Sequence, residues 1–171
     1  MESASIGKHY GRPESKGIKL HLGSGDYWFD GFINVDLNIY AGTDMVWDIR
    51  KPMPFVPEVV ERIEAYEVLE HLSELEVEGV LMEWMRLLMP GGQVKISVPD
   101  MDGLVKMYET NKEEAIRMIY GFVDHPHHKW GYTKESLEKL FKDNGFKDVS
   151  IIQGSLPERS TEPQLILECH K

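Results

Sequence analysis

The sequence contains a single cysteine, Cys169, so it cannot form an internal disulfide bond. This scarcity is typical of proteins from reducing compartments. No apolar run approaches the ~20 residues that a membrane-spanning helix needs. The first residues also lack the apolar core of a signal peptide. We therefore expect a cytoplasmic protein with no membrane partner.

Basic side chains are also few, with 19 lysines and arginines against 29 aspartates and glutamates and a net charge of −10. The imbalance is concentrated in residues 23–78, which hold thirteen acidic and three basic side chains. Nucleic-acid-binding proteins usually present a basic surface, so we expect no nucleic-acid partner. An acidic cleft suits a cationic or hydroxyl-rich ligand, although acidic residues can also serve solubility alone.

A length of 171 residues suits one domain with one core. Residues 1–17 are polar and contain several glycines, which favours a flexible N-terminal arm. We expect residues 18–171 to form the single domain, as a monomer or homodimer. Apolar alternation and turn residues predict seven strands, at 18–22, 32–35, 44–47, 62–66, 93–98, 149–152 and 164–169.

Helical periodicity predicts a helix over 74–89, helical material over 101–122 with a break near Asn111, and a helix over 134–144 that begins after Thr133. Strands that alternate with helices indicate an α/β fold with a mainly parallel, doubly wound sheet and layers on both faces. The last two strands are joined without a helix, so they should pair antiparallel and leave one reversed edge strand. Ligands of such sheets bind beyond the carboxyl ends of the strands.

The stretch LHLGSGDYWFDGFINVD, residues 20–36, only partly resembles a dinucleotide-binding loop. The pattern G-x-G-x-x-G needs a third glycine that opens into a helix, whereas this sequence has Trp28 there. The connection to the second strand is also too short for a helical crossover. Tyr27 and Trp28 either cover the resulting gap or pack on the sheet. A pyrophosphate site is therefore not expected.

The remaining groups suit an adenosine that carries no phosphate. Gly23 and Gly25 let a ligand approach the backbone. Asp36 ends the second strand, where a carboxylate can accept hydrogen bonds from both ribose hydroxyls. Asp48 ends the third strand and can accept from an adenine amine. S-adenosylmethionine (SAM) is such a ligand, and its sulfonium is positively charged.

Five segments, LHLGSG, INVD, VWDI, AYEVLEHL and LLMPGGQVKISVPD, follow one another in the order and rough spacing of class I SAM-dependent methyltransferases. The sequence resembles small members of that superfamily over residues 18–169. The resemblance implies a three-layer Rossmann-like fold whose seven-stranded, mainly parallel sheet has its last strand antiparallel. It also implies the cofactor-binding residues. Gly23, Ser24 and Gly25 would lie beneath the methionine part of SAM, and Tyr66 with Glu67 at its amino-acid end. Asp36 with Leu37 would bind the ribose, and Asp48 with Ile49 the adenine.

Histidines are the candidate catalytic residues, because a base is needed when the methyl acceptor must lose a proton. His71 follows the fourth strand, and His128 lies in DHPHHKWGYT at residues 124–133. Either histidine can instead have no chemical role, as a helix-start residue or as part of a solvated loop. The H-P-H-H spacing suits no common zinc pattern and no cysteine pair accompanies it, so we expect no metal. Asp100 contacts the acceptor or caps a helix.

We therefore predict an enzyme that transfers a methyl group from SAM to a small-molecule acceptor, such as a sugar or another metabolite, with S-adenosylhomocysteine (SAH) as product. Residues 101–132 should form a helical insertion that borders the acceptor pocket. One alternative is a module of the same fold that binds SAM or SAH without turnover. Another is a nucleotide-sugar or dinucleotide-binding protein.

Overall fold

The computed structural model describes residues 17–121, 127–152 and 163–171. The predicted arm, residues 1–17, therefore lies outside the described chain except for Gly17. The described strands are β1 (Ile18–Leu22), β2 (Ile33–Asp36), β3 (Met45–Val46), β4 (Val60–Tyr66), β5 (Leu88–Pro99), β6 (Lys147–Ile152) and β7 (Gln164–His170). The helices are α1 (Glu74–Leu87), α2 (Met101–Thr110), α3 (Lys112–Tyr120) and α4 (Lys134–Asp143), and a short 3-10 helix spans Leu69–His71.

The seven strands form one sheet in the order β3-β2-β1-β4-β5-β7-β6. Strands β1 to β5 pair in parallel, and β7 is antiparallel to both β5 and β6. The predicted mainly parallel sheet with an antiparallel last strand is confirmed. The expectation that the reversed strand lies at the edge was wrong, because β7 inserts between β5 and β6. Strand order reverses between β1 and β4, which is where ligands bind in such sheets.

Helices α1 and α4 cover one face of the sheet. Their buried side chains, which include Trp84 and Phe141, share one core with strand residues such as Leu20, Ile63 and Ile96. Because successive strand residues point to opposite faces, these apolar positions all lie on the same side of the sheet. Burial of this single apolar face is what places both helices over it.

The opposite face carries a row of polar side chains. Paired positions across the strands run through Asn34, His21, Glu64, Lys95, Glu168 and Ser150. Lys95 binds Glu168 at 3.0 Å, and Glu64 binds Arg62. The connections from β1 to β2 and from β2 to β3, residues 23–32 and 37–44, contain no helix. The predicted Rossmann-like fold is confirmed, but turns and loops replace helices in these two connections.

Helix α1 ends at Leu87, so the predicted helix end at Met89 was two residues too late. Leu88 pairs with Val60 in the sheet, and the next pair is Gln93 with Arg62. The intervening Pro90-Gly91-Gly92 is thus a bulge within β5 and not the turn that ends the helix. A Cβ on Gly92 would lie 3.1 Å from the Val60 carbonyl oxygen, so glycine is needed for this close approach.

Two other predicted helix boundaries are confirmed. Asn111 ends α2 and caps α3, since its side-chain oxygen accepts the Glu114 N–H at 3.4 Å. Thr133 caps α4 in a reciprocal arrangement with Ser136. Helices α2 and α3 pack on each other and fall within the predicted insertion, residues 101–132. None of the helices in the described ranges is long and apolar enough to cross a membrane.

Candidate functional site

The turn after β1 is held against the ends of β2 and β4. The backbone N–H groups of Gly23 and Ser24 donate to the Val35 carbonyl at 2.8 and 3.1 Å. Gly23 has a φ of +67°, and a Cβ there would lie 2.4 Å from Cγ2 of Val68. Glycine is therefore required both by the backbone conformation and by the packing. The contact brings the glycine turn beside the residues that follow β4.

Asp36, at the end of β2, stabilises this turn directly. One oxygen of its carboxylate accepts the Gly25 N–H at 2.9 Å, and the other accepts the Asn38 N–H at 2.9 Å. A carboxylate has about four lone-pair sites. Each oxygen of Asp36 therefore keeps capacity for one further donor, such as a ligand hydroxyl.

Asn34 organises the connection that takes the place of a helix between β1 and β2. Its side-chain oxygen accepts the Phe29 N–H at 2.9 Å and faces Nδ1 of His21 at 3.1 Å. Its side-chain amide donates to the carboxylate of Asp44 at 2.9 Å and to the carbonyls of Phe29 and Phe32 at 3.3 and 3.4 Å. One buried amide thus satisfies backbone groups that a helix would otherwise pair internally. No sequence pattern around Asn34 indicates this role.

Phe29 covers the sheet beneath this loop. Its ring stacks on the buried His21 ring with centroids 4.2 Å apart, and it meets Tyr66 edge-on at 6.0 Å. Burial lowers the pKa of His21, with its Asn34 contact opposing that shift. Tyr27 and Trp28 remain half exposed, and Trp28 lies against Gly42 instead of entering the core. Phe29 is therefore the aromatic residue that packs on the sheet.

The backbone at the second glycine faces open space. Gly25 has a φ of +53°, and a Cβ built there meets nothing within 4 Å. Ser24 is 2% exposed, and its hydroxyl has no hydrogen-bond partner among the described residues. An unpaired buried hydroxyl costs free energy, which a bound polar group can recover. The residues Gly23, Ser24, Gly25 and Asp36, predicted to bind the cofactor, are thus brought together, with open space at Gly25.

Asp48, which was predicted to meet the adenine, is engaged with another side chain. Its two oxygens bind Arg50 at 2.8 and 2.9 Å. Arg50 also binds Glu76 at 3.1 Å, and Glu76 binds Lys129 at 3.1 Å. Hydrogen bonds from the Ser73 backbone, together with Lys129 and Arg50, lower the pKa of Glu76 to about 2. This ionic chain connects the end of β3, the start of α1 and the segment before α4.

The residues at the end of β4 point in different directions. The Tyr66 hydroxyl donates to Glu64 at 2.5 Å on the polar face of the sheet. Burial and this hydrogen bond raise the pKa of Tyr66. Glu67 has a φ of +56°, which is rare for a residue with a Cβ, and it accepts the Ser97 hydroxyl at 2.8 Å. Such backbone strain is found at functional sites more often than elsewhere.

Two further cofactor-binding candidates differ in burial. Leu37 is exposed, whereas Ile49 is partly buried against the core.

Asp100 accepts the Asp102 N–H at 3.1 Å and caps α2, so the capping interpretation is confirmed. His125 and Asp124, which belong to the predicted histidine cluster, lie outside the described residues.

The two candidate catalytic histidines lie together. The ring centroids of His71 and His128 are 5.0 Å apart. Nδ1 of His71 lies 3.4 Å from the His127 carbonyl, and its Nε2 lies 3.9 Å from Glu70. Burial lowers the pKa of His128, although the carbonyls of Met118 and Ile119 oppose this shift. At neutral pH, His128 can therefore accept a proton.

Glu70 was missed by sequence reasoning. It is 1% exposed and lies beside both histidines. Its backbone carbonyl accepts the N–H groups of Lys129 and Trp130 at 2.7 and 3.2 Å, which holds the segment with His128 against the end of β4. The sequence signal that could have identified Glu70 is its position directly before the candidate histidine His71, in VLEHL.

No family model and no curated protein sequence matches the chain, but solved structures do. A SAM-dependent methyltransferase from Methanosarcina mazei superposes with a TM-score of 0.64 at 11% identity, over 93% of this chain and 94% of that one. The 1,6-didemethyltoxoflavin-N1-methyltransferase of Burkholderia thailandensis, with its substrate and SAH bound, gives 0.64 at 17% identity, over 91% and 71%. The CurJ carbon methyltransferase gives 0.61 at 18% identity, and this chain spans about half, 49%, of its length.

Proposed function

We propose that this chain, which has the fold of class I SAM-dependent methyltransferases, binds SAM at the carboxyl ends of β1, β2 and β4. We further propose that it transfers the methyl group to a small-molecule acceptor, such as a sugar or another metabolite, and releases SAH. The observation that carries the proposal is the open space at Gly25, whose backbone N–H binds the carboxylate of Asp36 and which follows a serine whose buried hydroxyl has no hydrogen-bond partner among the described residues.

The described contacts support separate roles for the residues around this space. Gly23, Ser24 and Gly25 would lie beneath the methionine part, and Glu67 with Tyr66 at its amino-acid end. Asp36 keeps lone pairs for the ribose hydroxyls while it holds the turn. Asp48 and Ile49 would border the adenine, with Arg50 sharing the Asp48 carboxylate.

Bound SAM supplies an electrophilic methyl group on a positively charged sulfur. The chain's task is then to align the acceptor and exclude water, which lowers the barrier without a covalent role for any side chain. An acceptor hydroxyl or amine must also lose a proton. We assign that proton to His128, with His71 beside it, because both lie where the chain returns to the end of β4.

A second candidate function is binding of SAM or SAH without turnover. The helix-free connections at residues 23–32 and 37–44 favour it, since they provide less wall around a cofactor than a helix would. Both candidate functions require the same SAM-binding site and differ only in whether the methyl group is then transferred.

Two measurements on the purified protein test the proposal. Calorimetric titration with SAM and with SAH should give one site per chain, whereas NAD should give no heat of binding. Incubation with methyl-labelled SAM and a panel of sugars and small amines, phenols and acids should yield a labelled product. Binding without any product would support the second candidate, and a response to NAD but not to SAH would contradict both.

A further inference from the structure

Three side chains with metal-binding atoms converge beside the proposed acceptor position. Among the described residues, one ligand atom each of Glu70, His71 and His128 lies within 4.8 Å of the others. His128 comes from the segment before α4, while Glu70 and His71 belong to the 3-10 helix after β4. Their proximity is therefore a product of the fold and not of spacing in the sequence.

We propose that Glu70, His71 and His128 bind a divalent transition-metal ion such as Zn²⁺ or Co²⁺. Two imidazoles and one carboxylate are a recurrent ligand set for such ions, and they leave coordination positions open for water or a substrate. Imidazole ligands favour these ions over Mg²⁺ and Ca²⁺, which prefer oxygen. Methyl transfer from SAM does not by itself require a metal ion, so this binding site is a separate property of the chain.

The surroundings of both histidines are those of metal ligands. Metal-binding histidines usually donate their second ring N–H to a carbonyl or carboxylate, which fixes the ring. Nδ1 of His71 faces the His127 carbonyl at 3.4 Å, which leaves Nε2 on the side of Glu70. The His128 ring likewise interacts with the carbonyls of Met118 and Ile119. Backbone carbonyls thus lie beside both rings, as they do beside metal-binding histidines.

The backbone around the ligands is fixed by its own hydrogen bonds. The Glu70 carbonyl binds two N–H groups of the segment after His128, and the His128 N–H donates to the Tyr120 carbonyl at 3.1 Å. Ligands at about 2.1 Å from a tetrahedral ion lie roughly 3.4 Å from one another. The ligand atoms, which lie within 4.8 Å of one another, must therefore approach by up to about 1.4 Å, which rotation of the partly exposed His71 ring can provide.

Burial of Glu70 gives a further reason for a cation. A carboxylate that is 1% exposed is stabilised when a positive charge is placed beside it. A divalent ion bound by Glu70, His71 and His128 would supply such a charge. If the proposed methyl transfer takes place, such an ion would replace His128 as the group that activates the acceptor: it would bind the acceptor's oxygen and lower the pKa of that oxygen, and water would take the proton, a role that rests on the proposed function.

Titration of the metal-stripped protein with Zn²⁺ and with Co²⁺ tests the site without SAM. We expect one ion per chain by calorimetry, with Co²⁺ giving the visible absorption of nitrogen-ligated cobalt. Glu70→Gln, His71→Gln and His128→Gln should each weaken binding about tenfold or more. The control His127→Gln changes an exposed neighbour outside the cluster and should bind as the parent does.

Circular dichroism and the thermal midpoint establish that each variant is folded, and the two histidine variants make the test independent of any effect of Glu70→Gln on folding. The proposal is overturned if the parent binds neither ion at micromolar concentrations. It is equally overturned if folded His71→Gln and His128→Gln retain the parent affinity. If the parent protein does not bind SAH, that result would count against the proposed function and leave the metal result unaffected.

Discussion

The carboxylate of Asp36 accepts the backbone N–H of Gly25 at 2.9 Å, so the end of β2 holds the turn that follows β1. This contact explains how the turn keeps its shape without a helix behind it. It also leaves the carboxylate at the edge of the open space above Gly25. The same acidic group thus shapes the proposed cofactor site and is placed to bind the ligand.

Replacement of Asp36 by Asn should weaken SAH binding about 10- to 100-fold, because hydrogen bonds to charged groups contribute ~1.5–3 kcal/mol. Asparagine keeps the size of the side chain but removes the charge and one acceptor. Asp30→Asn makes the same charge change at an exposed position in the loop before β2 and should leave the affinity within about twofold. Calorimetry on folded Asp36→Asn that gave the parent affinity would remove Asp36 from the site.

Asn34→Ala should lower the free energy of unfolding by about 3 kcal/mol, because unsatisfied buried polar groups cost ~1–3 kcal/mol each. The change leaves Phe29 N–H and the His21 ring without their shared acceptor. Asn38→Ala, an exposed asparagine nearby, should change stability by no more than about 0.5 kcal/mol. Urea unfolding compares the two. Equal midpoints would show that the amide of Asn34 does not hold the loop.

The stability of the protein should fall as the pH decreases below about 6.5, in part through His21. Burial lowers the pKa of this histidine in the folded state, while Asn34, Glu64 and Asp36 oppose that shift. Between the folded and unfolded pKa values the unfolded chain binds more protons, so stability decreases as the pH drops through that window. In urea unfolding, His21→Gln should lose less stability than the parent protein between about pH 7 and pH 5. An NMR titration that gave His21 a pKa above 6.5 would contradict this account.

The strands and the glycine turn were predictable because their physics is local. Alternating apolar residues such as Leu20 and Leu22 define β1, and only glycine readily adopts the positive φ of Gly23. The end of α1 was misplaced for the opposite reason. Leu88 continues the helical periodicity, yet its pairing with Val60 across the sheet makes it a strand residue. That pairing depends on tertiary contacts which periodicity does not report.

The candidate site was predictable only in part. Gly25 is recognisable in the sequence as a conformationally free residue just after a strand, and Asp36 as an acid at a strand end. The structure brings the two into contact. Asn34 looked like an ordinary polar residue in an alternating strand, because its partners are set by how the loop folds over the sheet. Glu70 was missed because its burial beside His128 arises only when the segment before α4 packs against β4.

The most direct test of the central claim compares two glycine-to-alanine variants. Gly25 and Gly31 both have positive φ, and at both an added Cβ meets nothing within 4 Å. Each substitution should therefore cost a similar ~1–2 kcal/mol of stability through backbone strain. Only Gly25→Ala places a methyl group in the proposed cofactor space.

Calorimetric titration with SAH is the measurement. The account predicts that Gly31→Ala binds SAH with the parent affinity, while folded Gly25→Ala binds about tenfold or more weakly, because its methyl group occupies the cofactor's space. Parent affinity in folded Gly25→Ala, or no SAH binding by the parent protein, would contradict the claim that this glycine turn holds the cofactor.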